Sequence, residues 1–416
     1  MGTKHVIILH YAAPPVVGGV ESTMYHHARL LVARGYRVTI VAGRGDRFDT
    51  QVGWYPIPEV DSRHPDVLSV ARALARGEVP EGFYPLKERL VRMLKPVCQA
   101  GDVIIVHNAI TLHKNLPLTA ALYELVTDEV SRFIAWCHDF AWMDELYTPE
   151  LHSGYPWDLL RTPWPRVRYV VVSEYRRHQL AELLQLSPET IEVVPPGVDV
   201  AAFFKWEPET QRLVNELRLL EAEPLLLLPA RVTRRKNIEF AIRVLGELSQ
   251  CMPQAALVIT GPPGPHNPAN QAYLCALHEL SAQLHVRERV HFLYEHGTDA
   301  KPLHVSDAMM SDLYHLADVL LFPSKREGFG IPVLEAGLAR LPIFAADIPP
   351  IRESAGPWAV RFDPDGDPSK VARQIEKHLA TNAIYHMRRH VLRTYTWERI
   401  LETKIVPLLQ EVFASS

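Results

Sequence analysis

The chain is poor in cysteine and has no long apolar run. Of its 416 residues only Cys98, Cys137, Cys251 and Cys275 are cysteines, and no two are spaced as CxxC. That argues against a disulfide framework or a metal site and favours buried or idle thiols in a reducing compartment. No stretch approaches the roughly 18 apolar residues of a membrane-spanning helix. The first apolar run, His5-Val-Ile-Ile-Leu-His10, is too short for a secretory leader. A soluble, cytoplasmic protein is expected, at most peripheral to a membrane. Neither sign of charge dominates: 44 basic and 48 acidic residues leave −4, without the basic excess that non-specific nucleic-acid binding needs. The 20 histidines form no HExxH pair and no glycine cluster has the GxGxxG spacing, so neither a zinc hydrolase nor an NAD-type fingerprint is supported.

What is present is the make-up of a globular protein. A hydrophobic fraction of 47% with 22% charged residues is too apolar for disorder and sufficient for buried cores. At about 100–200 residues per domain, the length allows two domains or three small ones. Periodicity chooses two. Short apolar runs at 5–10, 37–42, 103–106, 132–136, 168–172 and 191–194 are separated mostly by stretches of helical period. After Pro195-Pro-Gly-Val-Asp199 the pattern resumes, with runs at 225–230, 255–260, 289–293, 318–322, 341–345 and 358–362. Continuous apolar runs of this length read as strands covered on both faces, as in parallel sheets. The expected fold is α/β: two doubly wound, Rossmann-like domains, 1–196 and 197–380, followed by amphipathic helices over 381–416. Residues 45–100, irregular and rich in Pro and Arg, read as an insertion at the ligand edge. Such sheets bind ligands beyond the carboxyl ends of their strands, so two of them are expected to face a cleft.

Four segments at those edges carry candidate chemistry. Glu327-Gly-Phe-Gly-Ile-Pro-Val-Leu-Glu335 follows the run Val319–Phe322. Gly328 and Gly330 allow close backbone approach, Pro332 fits a first helical turn, and the helix N-terminus suits phosphate. The two carboxylates suit vicinal hydroxyls, a ribose at one end and a sugar at the other; the competing reading is an ordinary turn with solvated glutamates. Ala230-Arg-Val-Thr-Arg-Arg-Lys-Asn237 places Arg231 and Lys236 where two cations would neutralise a diphosphate, with Asn237 capping the next helix; alone, it reads equally as a solvated basic turn. Gly18-Gly19-Val-Glu21 puts flexible backbone at the first strand-to-helix turn, and His138-Asp139 follows the run ending at Cys137. His138 suits donation to a sugar oxygen or action as a base, against a purely structural role.

In order and spacing these segments resemble the family 4 retaining glycosyltransferases (glycosyl transferases group 1), and the resemblance covers essentially the whole chain. It includes the Gly-Gly-Val-Glu turn, the histidine after a mid-domain strand, the Pro-Pro-Gly-Val-Asp linker, Arg231…Lys236-Asn237 and the E-x7-E segment. It implies the GT-B fold, with an N-terminal acceptor domain, a C-terminal donor domain and a last helix crossing back to the N-terminal domain. A nucleotide sugar, UDP-, GDP- or ADP-linked, would be the donor, with no cofactor and no metal. Arg231 and Lys236 would hold the diphosphate with Gly18 and Gly19 backbone opposite, and Glu335 the ribose. Glu327, with Gly328, Phe329 and Gly330, would hold hydroxyls of the transferred sugar. His138 would contact the sugar near the reacting centre, so His138, Arg231, Lys236 and Glu327 are the catalytic candidates. Retention rests on the family; inversion with Asp139 or His138 as base stays open. So do a sugar-nucleotide epimerase and a non-catalytic nucleotide-sugar or glycan-binding protein.

Tyr11, Asp139 and Trp164 are candidate acceptor contacts. Trp157, Arg161, Trp164, Arg166 and Arg168 read as a cluster suited to a small acidic acceptor. Asp363-Pro-Asp365-Gly-Asp367 has a DxD spacing but reads as a helix-capping turn. Residues 85–97 form a basic amphipathic stretch, read as a solvated helix packed on its own domain, with an anionic membrane as the alternative. The loop Gly261–His266 is a candidate for narrowing donor choice, and the base is expected near the loop after Tyr294.

Overall fold

The computed structural model describes residues 3–264, 269–298 and 301–414. The chain divides into two compact units, Met1–Val198 with Thr394–Ser416, and Asp199–Arg393. The first is built on β1 (His5–Leu9), β2 (Arg37–Ala42), β3 (Gly53–Pro56), β4 (Val103–His107), β5 (Phe133–Cys137), β6 (Val167–Val171) and β7 (Ile191–Val193). Their order across the sheet is β3-β2-β1-β4-β5-β6-β7, every pair parallel. Every residue of β1, β4 and β5 is buried, as unbroken apolar runs demand when helices cover both faces.

The second unit holds β8 (Leu225–Leu228), β9 (Ala256–Ile259), β10 (Val290–Phe292), β11 (Val319–Phe322), β12 (Ile343–Ala346) and β13 (Val360–Phe362), ordered β10-β9-β8-β11-β12-β13 and again all parallel. Two apolar clusters line the faces of each sheet.

The insertion expected at 45–100 contains a strand and two helices. β3 pairs with β2 at the sheet edge. Its sequence Gly-Trp-Tyr-Pro has no apolar run because an edge strand is only half covered, and Pro56 is tolerated there because one edge needs no donor. The basic stretch lies in the helix Phe83–Ala100, whose Phe83, Leu86, Leu90, Leu94, Val97 and Cys98 are buried. This face packs against the helix Leu116–Thr127. Lys87 pairs with Glu124, Lys95 with Asp128, and Arg89 with both Glu59 and Asp66. The apolar face is therefore covered from within the unit rather than presented to a membrane.

The first helix, Gly19–Ala33, stops as its sequence requires. Gly35 takes φ +83, and the amides of Gly35 and Tyr36 close on the carbonyls of Val32 and Leu31. At the other end of the chain, Trp397–Ile400, the π-turn Leu401–Ile405 and Val406–Ala414 run as consecutive helical segments. Their Ile400, Leu401, Ile405, Leu408 and Leu409 join Val6, Ile8, Ile40 and Val103 in one core cluster, so the last helix packs back on the first sheet.

The preceding helix, Ala383–Thr394, is fastened to the second unit by a buried charge group. Asp318, just ahead of β11, accepts from the Leu225 amide at 2.8 Å and from the Arg389 guanidinium, with Arg388 at 3.5 Å. Arg393 also pairs with Glu223. Asp318 and Arg389 are both almost fully buried, so removing one charge strands the other in a low dielectric. Asp318→Ala is expected to cost about 3–5 kcal/mol, read as a lowered denaturation midpoint of the whole chain; a loss under about 1 kcal/mol would show that the pair contributes little.

Candidate active site

In an open parallel sheet, the loops diverge where strand order reverses. In the second sheet that point lies between β8 and β11. A proline follows each strand, Pro229 and Pro323, and both outgoing loops carry charge. The loop after β8 turns through Arg234–Lys236 to Asn237, which takes φ +53, a left-handed conformation that asparagine tolerates. Asn237 was expected to cap the next helix. Instead its side-chain amide donates to the carbonyls of Pro364 at 2.8 Å and Pro323 at 3.2 Å, tying the loops after β8, β11 and β13 together. No side-chain cap serves the helix Ile238–Cys251, because the left-handed backbone turns the amide away from it.

That tie places Lys236 beside Glu327, Nζ to Oε1 at 2.5 Å, with each side chain about 10% exposed. Arg235 approaches the other carboxylate oxygen at 3.7 Å, and Lys236 Nζ lies over the Phe322 ring at 5.1 Å. Two buried opposite charges hold together because neither has water to return to. Arg231 is exposed and has no salt-bridge partner among the described residues.

The Glu327–Glu335 segment follows. Gly330 sits at φ +94, and a Cβ there would strike the Ile351 side chain at 2.5 Å, so both backbone and packing require glycine. Gly328 is different: a Cβ would meet nothing within 4 Å. Packing does not demand glycine there, and the open backbone is available to a ligand. Phe329 is exposed. Pro332 lies in the first turn of the helix Ile331–Leu338, whose N-terminus has no side-chain cap. Glu335 accepts a hydrogen bond from the Tyr314 hydroxyl at 2.6 Å; burial and that carboxylate together push the Tyr314 phenol upward.

The first sheet reverses between β1 and β4. After β1 the chain reaches Gly18, extended at φ −178, which starts the helix Gly19–Ala33 without a side-chain cap. A Cβ on Gly19 would meet nothing within 4 Å. After β4, Asn108 adopts φ +56 and accepts from the amides of His138 at 2.7 Å and Asp139 at 3.2 Å. The Asp139 carboxylate is held by Arg176 at 3.1 Å. His138 Nε2 lies 3.1 Å from His107 Nδ1, and His10 Nδ1 lies 2.9 Å from the His107 carbonyl. His27 completes the group, packed edge-on against Trp136. Burial holds all four rings below the ordinary 6.5: His10 and His138 near 4, His27 near 3, and His107 well down.

Several expected site residues lie elsewhere. Tyr11 is a core ring whose hydroxyl donates to the Leu112 carbonyl at 3.4 Å, its phenol pushed up by burial. Trp164 is 3% exposed, with its ring N–H on the Leu159 carbonyl. Neither offers a stacking surface, because large rings near an irregular loop were needed to fill the core. The expected tryptophan–arginine cluster is dispersed as well: Trp157 is buried, Arg161 pairs with Asp158, Arg166 with Glu129, and Arg168 with Glu411 and Glu192. The DxD segment is a capping turn, with Asp367 accepting from Ser369 and Asp363 from Asp365. Asp365 nevertheless reaches Lys325 at 2.5 Å, so this turn borders the site. Pro265 and His266 of the loop after β9 lie outside the described residues. Among the described residues, no group of three or more histidine, cysteine or acidic side chains is arranged to hold a metal ion. Cys98 and Cys137 are buried, with thiols pushed up to about 12, and Cys251 and Cys275 are exposed. Sequence reasoning missed His10, His107, Asn108, Arg176 and Tyr314, which sit near single-residue signals with no spacing motif.

The sequence pattern of Glycosyltransferase Family 4 matches residues 17–202, and that of Glycosyl transferases group 1 matches 209–396. The chain belongs to this glycosyltransferase family. Within the family it is similar to a D-inositol 3-phosphate glycosyltransferase of Nocardia farcinica, 31% identical over 44% of this chain and 38% of that one. The match thus spans well under half of that relative. A mannosylglucosylglycerate synthase of Thermotoga maritima is 23% identical over 87% of this chain and 85% of its own. Among solved structures, WaaG, a glycosyltransferase of lipopolysaccharide biosynthesis, aligns over 99% of this chain and 100% of its own at 16% identity and a TM-score of 0.34. No helix among the described residues is long and apolar enough to cross a membrane.

The histidine group gives the first unit an acid limit. The folded state keeps these rings neutral, whereas the unfolded chain protonates them below about 6.5. Stability is therefore full above pH 6.5 and falls as pH drops towards 4, by about 1.4 kcal/mol per pH unit for each such ring. His27→Phe keeps a flat aromatic ring, slightly larger than the imidazole, and removes two buried nitrogens that lack partners among the described residues. It is expected to raise the melting temperature more at pH 5 than at pH 8. An equal shift at both pH values would show that protonation of His27 does not set the limit.

Proposed function

We propose that the chain is a retaining, metal-independent glycosyltransferase that moves a hexosyl unit from a nucleotide-diphosphate sugar to a small-molecule or saccharide acceptor. The observation that carries this reading is the buried Lys236–Glu327 pair at the reversal point of the second sheet, with exposed Arg231 and open Gly328 backbone at the same edge. A diphosphate is the ligand that draws on two cations there. Its arrival takes Lys236 from Glu327 and frees a carboxylate to accept from sugar hydroxyls, so both binding events use one preformed pair. Glu335, steadied by Tyr314, takes the ribose hydroxyls.

The chemistry follows from where charge develops. The bond from the anomeric carbon to the diphosphate oxygen breaks, and negative charge gathers on the leaving phosphate. Arg231, Lys236 and the uncapped amides after Gly330 stabilise that charge, and dipoles and cations fixed in advance are the most effective means of doing so. The acceptor oxygen bonds to the anomeric carbon on the face the leaving group departs from, and its proton passes to the departing phosphate. His138 lies at the carboxyl edge of the first sheet as a neutral polar contact for the reacting sugar. The names of the relatives, a glycerate and an inositol phosphate among them, favour a small polyhydroxylated acid as the acceptor.

The test is to supply UDP-, GDP- and ADP-sugars with and without an acceptor panel that includes hydroxy acids and sugar phosphates, measuring nucleoside diphosphate release and product anomer. Acceptor-dependent release with retention is expected. Sugar isomerisation without any acceptor would favour an epimerase, and binding without turnover a non-catalytic protein. Lys236→Ala and Glu335→Ala should each lower kcat/KM by about 10²- to 10³-fold, and Tyr314→Phe should raise the donor KM roughly 5-fold, the worth of one hydrogen bond. Unchanged kinetics in both alanine variants would overturn the site.

A further inference from the structure

His107 ends β4, fully buried, and touches two other histidines in different ways. Its carbonyl is 2.9 Å from His10 Nδ1. A carbonyl only accepts, so His10 carries its proton on Nδ1 and its Nε2 is bare. That Nε2 has no hydrogen-bond partner among the described residues and is not one of the buried orphan atoms. It is therefore an open acceptor at the carboxyl end of β1.

The His107 ring settles the second histidine. Its Nδ1 and His138 Nε2 are 3.1 Å apart, and two neutral imidazoles so placed share a single proton. Its other nitrogen, Nε2, is buried without a partner among the described residues. If that Nε2 bore the proton, a buried N–H would lack an acceptor, the costlier kind of orphan. If Nδ1 bears it, the orphan is only a lone pair. Trp136, against the same ring, has only an N–H to offer, which is compatible with a bare Nε2. His107 therefore donates to His138, and the proton of His138 lies on Nδ1, which also has no partner among the described residues and is not fully buried.

We infer that His107 is a positioning residue that fixes the protons of its two neighbours, making His138 a hydrogen-bond donor through Nδ1 and His10 an acceptor through Nε2. The inference rests on the proposed transferase only in its use of these atoms on a substrate. There it removes His138 as a candidate base: with its proton on the nitrogen that no group among the described residues holds and its lone pair occupied by His107, it donates to a sugar or acceptor oxygen. The bare nitrogen belongs to His10, which suits a substrate hydroxyl. One backbone carbonyl and one ring of the same residue thus present a donor and an acceptor at adjacent strand ends.

The test is long-range proton–nitrogen NMR on the full chain labelled with ¹⁵N-histidine at pH 7.5, with His10 and His138 assigned from His10→Gln and His138→Gln. Both rings are expected as Nδ1–H tautomers, against the Nε2–H form that solvated histidine prefers. In His107→Phe the His138 signals should move to the Nε2–H pattern. In His107→Asn, whose amide N–H lies near the lost Nδ1–H, they should stay. A wild-type His138 carrying its proton on Nε2, or one unmoved in His107→Phe, would overturn the inference. If His107→Phe fails to fold, the wild-type spectrum and the asparagine variant still decide it. In the kinetic arm, His107→Phe should lose about 10- to 100-fold in kcat and His107→Asn should recover most of it. A chain that transfers no sugar but shows the expected tautomers would count against the transferase reading alone.

Discussion

A parallel sheet whose strand order reverses once has a single place where no crossover helix bridges the strand ends. Everything chemically equipped in the second unit depends on that constraint. The loop after β8 leaves on one side and the loop after β11 on the other. Asn237 then prevents them from drifting apart, holding the carbonyls of Pro323 and Pro364 with one amide. Lys236 and Glu327, which belong to different loops, meet because of that tie.

The two reversal points are furnished differently. In the second unit the edge is charged, with an ion pair almost removed from water and an exposed arginine nearby. A buried pair of this kind is a weak source of stability; in the proposed function it is a cation and an anion held ready for a ligand. In the first unit the histidine group at the edge is polar but neutral, because burial keeps protons off it, and the charges of Asp139 and Arg176 beside it offset each other. A charged edge suits a diphosphate, and a neutral one suits hydroxyls, which need direction more than field strength.

Much of this was legible in the sequence. Buried parallel strands are unbroken apolar runs, so β1, β4 and β8 were visible, as was the glycine-rich turn before Pro332. β3 was not, since a half-covered edge strand shows no such run. Asn237 was misjudged because a left-handed asparagine and a helix-capping asparagine look the same in a sequence. Tyr11 and Trp164 were taken for ligand contacts because an aromatic residue near a loop does not declare which way its ring turns. His107 and Tyr314 were invisible because their importance lies in hydrogen bonds to distant partners, 97 and 31 residues away for His107 and 21 for Tyr314.

The return of the chain's last helices to the first sheet sets an order of events during synthesis. Trp397 lies against Gly197, where a Cβ would come within 2.6 Å of its ring, and Ile405 and Leu409 close a core otherwise drawn from the first two hundred residues. Domains emerge and fold from the N-terminus, but here the first unit lacks part of its core until residues 400–412 have been made. The second unit, continuous from Asp199 to Arg393, has all its strands earlier. Of the two units, the one begun first is thus completed second.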